Sequence, residues 1–290
     1  MFANPAVTRM RRVNGLDHAS KNRLALWLRG ERAFGLTAVP MPAWPDSVMP
    51  TVVSPMRAGQ EVDVAKREMK PIVHSPLPVP SPGAPGFDAP AMAREEKIVR
   101  LKVMDADEVK GCTRCRLHST RTHTVFGEGD PDAKIFFVGE GPGENEDLTG
   151  RPFVGKAGQL LDKMIGGMGL KREQVFIANI VKCRPPGNRV PATEEVATCT
   201  PYLERQLEII RPRVIVTLGR PATTYMLNSK LAMGVLRGRW HAWRGIKLMP
   251  TFHPSYVLRV YTEEIRAAVW SDLKQVLVEL GMPVPQSARG

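Results

Sequence analysis

With 290 residues and 43% hydrophobic content the chain has the composition of a globular protein, long enough to bury one or two substantial cores. Its 41 Lys and Arg against 29 Asp and Glu leave a net charge of +12, a balance that suits nucleic acid or another anionic partner. No apolar run approaches the roughly 20 residues of a bilayer span and the basic N-terminus lacks the apolar core of a secretory signal, so no membrane association and a cytoplasmic, nucleoid-associated location are expected.

Within residues 1–39, His18–Leu36 sets Leu24, Trp27, Leu28 and Phe34 at helical spacing. That predicts a short amphipathic helix, a candidate docking element for a protein partner. Residues 40–92 form a Pro-rich segment; 12 of the 26 prolines fall between 40 and 90. Such a stretch sustains neither helix nor central strand, and a disordered linker is expected there.

Regular patterning begins near residue 93 and defines a domain over 93–290. "AREEKIVRLKVM" predicts a helix leading to the first cysteines. Four apolar runs then read as buried strands: "AKIFFVGE", "QVFIANIV", "RVIVTLG" and "IKLMPTF". Helical segments alternate with them: "GKAGQLLDKMIGGMG", "TEEVATCTPYLERQLEII", "RPATTYML" and "TEEIRAAVWSDLKQVLVEL". Alternation of this kind predicts a three-layer α/β/α sandwich with a mostly parallel central sheet. Ligands of such sheets sit beyond the carboxyl ends of the strands, where "GEGPG", "NIVKCRPPGNR" and "HPSYVLR" all fall.

The four cysteines form one set: Cys112 and Cys115 in a C-x-x-C, then Cys183 and Cys199 with fifteen residues between them. In a reducing compartment that set points to a metal centre rather than disulfides. Zinc ribbons repeat the C-x-x-C knuckle and here the second pair is split, which tilts the spacing toward an iron–sulfur cluster without deciding it.

"GEGPGENEDLTG" is no phosphate cradle. It lacks the P-loop and dinucleotide spacings, and Glu140, Glu144, Glu146 and Asp147 would repel a pyrophosphate. A turn at Gly141 brings backbone close to a flat, uncharged ligand instead. Phe153 offers an aromatic face nearby. Asn179 carries the donor and acceptor that read an amide-like base edge, and His253 can donate to a developing anion. Together these describe a nucleobase pocket. Lys182, Arg184, Arg189 and Arg259 flank the same loops and are expected on DNA phosphates.

At these residues the chain resembles the family 4 uracil-DNA glycosylases, over roughly residues 111–280. The resemblance rests on "GEGPGENEDLTGRPFVGKAGQLL", "NIVKCRPPGNR", "HPSYVLR" and the cysteines in their order. It implies a [4Fe–4S] cluster on Cys112, Cys115, Cys183 and Cys199, and uracil-containing DNA, single- or double-stranded, as partner. It implies that Phe153 stacks on a flipped uracil, that Asn179 reads its edge and that His253 bonds its O2. Glu140 corresponds to the acid expected to place or activate water, with Asp147 in reserve, and Glu146 to the acid that crowds C5 against thymine. A covalent uracil-binding branch of the same superfamily carries a basic, histidine-ended insertion; "CRPPGNRVPATEE" runs on without it, which favours turnover over trapping, and a monomer is expected. A module that senses uracil without turnover is the alternative, and electron transfer would leave the carboxylate, amide and imidazole without a task.

Overall fold

The structure is a computed structural model that describes residues 91–285. The helix expected within 1–39 lies outside the described residues, as does the 40–92 linker apart from Ala91 and Met92. Six strands form one sheet: β1 Glu128–Gly129, β2 Ile135–Gly139, β3 Phe176–Asn179, β4 Val214–Leu218, β5 His241–Trp243 and β6 Ile246–Thr251. Their order is β1-β3-β2-β4-β6-β5. The inner four run parallel, and β1 and β5 close the edges in antiparallel pairing.

A parallel sheet needs cover on both faces, so its strands read as continuous apolar runs. Every residue of β2, β3 and β4 is buried. Alternation then sorts the side chains into two cores. Ile135, Phe137, Ile177, Val214, Val216 and Met249 face one side. Phe136, Val138, Phe176, Ala178, Ile215 and Leu248 face the other.

The helices are α1 Arg94–Val103, α2 Glu144–Thr149, α3 Lys156–Gly167, α4 Thr193–Ile210, α5 Arg220–Leu227, α6 Met233–Leu236, α7 Pro254–Arg259 and α8 Glu263–Glu279. Leu161 and Ile165 of α3 and Val269, Leu273 and Val276 of α8 complete the first core. Leu101 of α1, Leu203 and Leu207 of α4, and Met226 of α5 complete the second. The arrangement is the expected α/β/α sandwich. β1, β5 and α2 are additions: elements of two, three and six residues carry too little periodicity to stand out in sequence.

One buried polar group ties α8 to the sheet. Asp272, fully buried, accepts from the Thr251 hydroxyl at 2.7 Å and from two Arg237 nitrogens at 2.6 and 3.1 Å. Thr251 ends β6, two residues ahead of His253. Asp272→Ala leaves the buried Thr251 hydroxyl unpaired and the half-buried Arg237 guanidinium with only the Ala268 carbonyl, and denaturant unfolding is expected to show a loss of about 3 kcal/mol. Asp272→Asn, which keeps the shape, is expected to lose less.

Candidate active site

The carboxyl ends of β2, β3 and β6 meet at one cleft of about 260 Å³. Glu140, Gly141, Glu146, Phe153, Asn179 and His253, six of the residues singled out in sequence, line it together with Arg189. Gly139, the last residue of β2, pairs in register with Asn179, the last of β3. A Cβ on Gly139 would overlap both Asn179 Oδ1 and the Phe153 ring. Only a glycine there lets amide and ring share the space above the strand ends.

Asn179 is 1% exposed, and its Oδ1 is the one buried side-chain oxygen or nitrogen without a partner among the described residues. A buried acceptor left open costs free energy unless a ligand donor fills it. Phe153 stands beside it, its ring centroid 5.7 Å from that of His253. Its backbone is left-handed at φ 51°, a region an aromatic residue rarely enters.

His253 caps the N-terminus of α7. Its Nδ1 accepts from the Ser255 amide at 3.1 Å and lies 2.8 Å from the Ser255 hydroxyl. With Nδ1 an acceptor, a neutral ring carries its proton on Nε2. The ring edge reaches the cleft, yet the packing around it desolvates the charged form, and Arg259 repels it further. The pKa falls from 6.5 to about 4, against the opposing pull of Glu146. The imidazole is therefore a neutral donor at physiological pH. Burial also pushes the Glu140 carboxyl above its ordinary value.

Glu146 takes three backbone amides: Gly143 N at 3.0 Å on Oε2, and Val154 N and Gly155 N at 2.8 Å on Oε1. It staples the α2 turn to the Phe153 loop and stands as a fixed wall of the cleft. Two expected residues are placed elsewhere. Asp147, the reserve acid, is buried and gives both oxygens to the Thr122 amide at 2.9 and 3.0 Å. It holds the 120–124 loop and does not line the cleft. Lys182, expected on a phosphate, is 1% exposed. Its Nζ donates to Asn179 O at 3.0 Å and Gln206 Oε1 at 2.7 Å, and burial pulls its pKa down to about 8. From inside the core it cannot reach a DNA backbone.

The remaining cations differ among themselves. Arg259 is exposed at the end of α7. Arg184 bonds Asn188 at 2.7 Å and lies 3.8 Å from Glu144. Arg189 sits at the cleft wall with both terminal nitrogens on Glu195, at 2.7 and 2.8 Å. Ser255, whose amide and hydroxyl meet His253 Nδ1, escaped the sequence reading, since the cap here is the histidine and not a Ser, Thr, Asp or Asn.

The four cysteines are unbridged and line one cavity with Arg121, Lys182 and Tyr202. Donors point at three of the sulfurs: Lys182 N to Cys199 Sγ at 3.2 Å, Arg121 to Cys183 Sγ at 3.2 Å and Tyr202 OH to Cys112 Sγ at 3.4 Å. Burial pushes the Cys199 thiol up to about 12. No group of three or more His, Cys, Asp or Glu among the described residues is set to hold a single metal ion.

A family model described as the uracil DNA glycosylase superfamily matches residues 126–274. The chain is 50% identical over 172 residues to the type-4 uracil-DNA glycosylase of Thermotoga maritima, covering 59% of this chain and 90% of that one. It is 48% identical over 180 residues to the type-4 uracil-DNA glycosylase of Saccharolobus solfataricus, covering 59% and 82%. Similarity extends at 33% identity over 155 residues to the type-5 uracil-DNA glycosylase of Thermus thermophilus, covering 45% and 68%.

The tautomer and charge of His253 are open to a histidine-labelled NMR titration. The ring is expected to stay neutral, protonated on Nε2, down to about pH 5, and to titrate near 4 rather than 6.5. The unfolded ring takes its proton at the higher value, so stability should rise with pH through this window and be lost as pH falls from about 6.5 to about 4. A ring titrating near its ordinary value would remove the neutral donor.

Proposed function

Because the chain belongs to the uracil DNA glycosylase superfamily, we propose that it hydrolyses the N-glycosidic bond of deoxyuridine in DNA, leaving an abasic site for base excision repair. The observation that carries this reading is the open Asn179 Oδ1, beside an aromatic face and a neutral imidazole in one cleft. Uracil offers what that site lacks: the N3–H donates to Oδ1 while O4 accepts from the Asn179 amide nitrogen. Cytosine, with an acceptor at N3, would leave the buried oxygen unpaired.

A base in a duplex is out of reach, so it must be extruded at a cost of a few kcal/mol. Stacking on Phe153 offsets part of that cost. The C1′–N1 bond then breaks with its electron pair passing to the base, and negative charge spreads to O2. His253 donates from Nε2 to that oxygen. A neutral donor suits this task, since the proton stays with the ring while the leaving anion is stabilised. Water adds to C1′ and passes its proton to Glu140. The raised pKa of Glu140 makes it a better base once ionised, so turnover should fall on the acid side as Glu140 protonates. Glu146, held by three amides, would be a rigid obstacle to the methyl group of thymine. Arg184 and Arg259 would meet phosphates. We expect a monomer acting on DNA in the cytoplasm.

The cysteine set fits an iron–sulfur cluster. Four unbridged sulfurs line one cavity, donors face three of them, and their spread does not suit a single ion. Cys112, Cys115, Cys183 and Cys199 would hold it. A bound cluster would supply a cross-link between the 112–115 turn, the segment after β3 and α4. Anaerobically purified protein is expected to be brown with about four irons per chain. Colourless protein with full activity and stoichiometric zinc would replace the cluster with a zinc site.

The activity is tested by incubating the protein with uracil- and thymine-containing oligonucleotides, then cleaving with alkali. Breaks at uracil alone, growing with time past one per enzyme, are expected. A trapped covalent adduct, or binding without breaks, would favour the non-catalytic alternative. His253→Ala should slow single turnover ~10²–10³-fold with DNA affinity little changed. Asn179→Asp, which sets a charge against O4, should cost ~10²-fold or more.

A further inference from the structure

Phe153 holds a backbone conformation that its own side chain disfavours. Something outside the residue must impose it. On the amide side, Glu146 takes the N–H groups of Val154 and Gly155. On the carbonyl side stands Arg172, in the short turn Arg172–Gln174 ahead of β3. Its guanidinium donates to the carbonyls of both Pro152 and Phe153, the latter at 3.3 Å. Two carboxylates fix that guanidinium in turn: Glu128 of β1 at 2.8 Å and Asp162 of α3 at 2.6 Å. The Arg172 side chain is only 15% exposed and does not line the cleft.

The geometry points to Arg172 as a positioning residue that sets the plane of Phe153 for the extruded base. One cation on the two carbonyls and one anion on the two following amides grip the loop from opposite sides, leaving the ring little freedom to turn. The opposite wall is fixed as well, since a Cβ on Gly158 would overlap the Phe153 carbonyl. Arg172 acts here by fork geometry rather than charge. A planar guanidinium can reach two carbonyls and two carboxylates at once, and an ammonium cannot. This inference rests on the glycosylase reading, because it concerns how that reaction's base is held.

The test is single-turnover cleavage of a uracil oligonucleotide by Arg172→Lys, with enzyme concentration varied to saturation, in wild-type and Phe153→Ala backgrounds. A displaced stacking face should lower the saturating rate constant roughly 10- to 100-fold, while the half-saturating concentration stays put. Partial unfolding would do the reverse, raising the half-saturating concentration and sparing the limiting rate. In the Phe153→Ala background the same substitution should cost less than about twofold, because its target is gone. Glu128→Gln, which loosens the guanidinium without removing it, should give a smaller loss of the same pattern and carries the test if Arg172→Lys does not fold. A wild-type rate in Arg172→Lys, or an equal loss in both backgrounds, overturns the inference and leaves the glycosylase reading standing. A wild-type protein that does not cleave uracil DNA at all overturns both.

Discussion

The missing side chain at Gly139 is the constraint on which the cleft depends. β2 and β3 are central parallel strands whose register pairs Gly139 with Asn179, so the two residues end their strands side by side. A Cβ at 139 would occupy the space that Asn179 Oδ1 and the Phe153 ring now fill. The consequence passes outward in order. The amide can sit within the sheet edge, rigid and buried; the ring can lie across it; and the cleft opens over both, with His253 brought up from β6. A base-sized site is thus made by subtracting one methyl group from the middle of a sheet.

Burial does the second part of the work, by setting charge states. Desolvation keeps His253 neutral and lifts Glu140, while Glu146 stays fixed by backbone amides on both oxygens. Three polar groups in one cleft are thereby set in different states: a neutral imidazole, a carboxyl of raised pKa and a carboxylate pinned by amides. The same low-dielectric surroundings explain Lys182. Its ammonium is tied to a carbonyl and an amide oxygen beneath the floor of the cleft, where it holds the carbonyl of Asn179 rather than any phosphate.

Most of the framework was legible because parallel strands buried on two faces must be continuously apolar. β2, β3, β4 and β6 announce themselves for that reason, and α4 shows its full Thr193–Ile210 length through its capped, amphipathic pattern. The positions of Glu140, Phe153, Asn179 and His253 follow from the rule that loops at strand carboxyl ends converge. Direction is what sequence does not carry. The charge of Lys182 suggests a phosphate contact and the motif position of Asp147 a reserve acid, yet both side chains turn inward to satisfy backbone groups. Arg172 went unnoticed because its partners lie 10 to 44 positions away in sequence, on an edge strand and a helix that only the fold brings to it.

The cleft and the cysteine cavity are parts of one construction. Asn179 ends β3 and Cys183 follows four residues later, so a single short segment forms one edge of the cleft and one wall of the sulfur cavity. A second link runs through Glu195. Fully buried, it accepts from Arg189 at the cleft wall and from Arg116, next to Cys115, at 2.7 Å each. It also takes the Ala192 amide at 2.7 Å. Arg189 foremost among these partners holds its pKa down at about 2, so the link stays charged throughout the physiological range. Cys199 lies one helical turn further along α4. Anything that fixed the four sulfurs would therefore brace the loop from Val181 to Ala192 at both ends, and that loop carries the far wall of the cleft. A centre in the sulfur cavity need take no part in bond breaking to matter for it: by tethering the ends of the wall, it would limit how far Asn179 and Arg189 can drift from their places in the cleft.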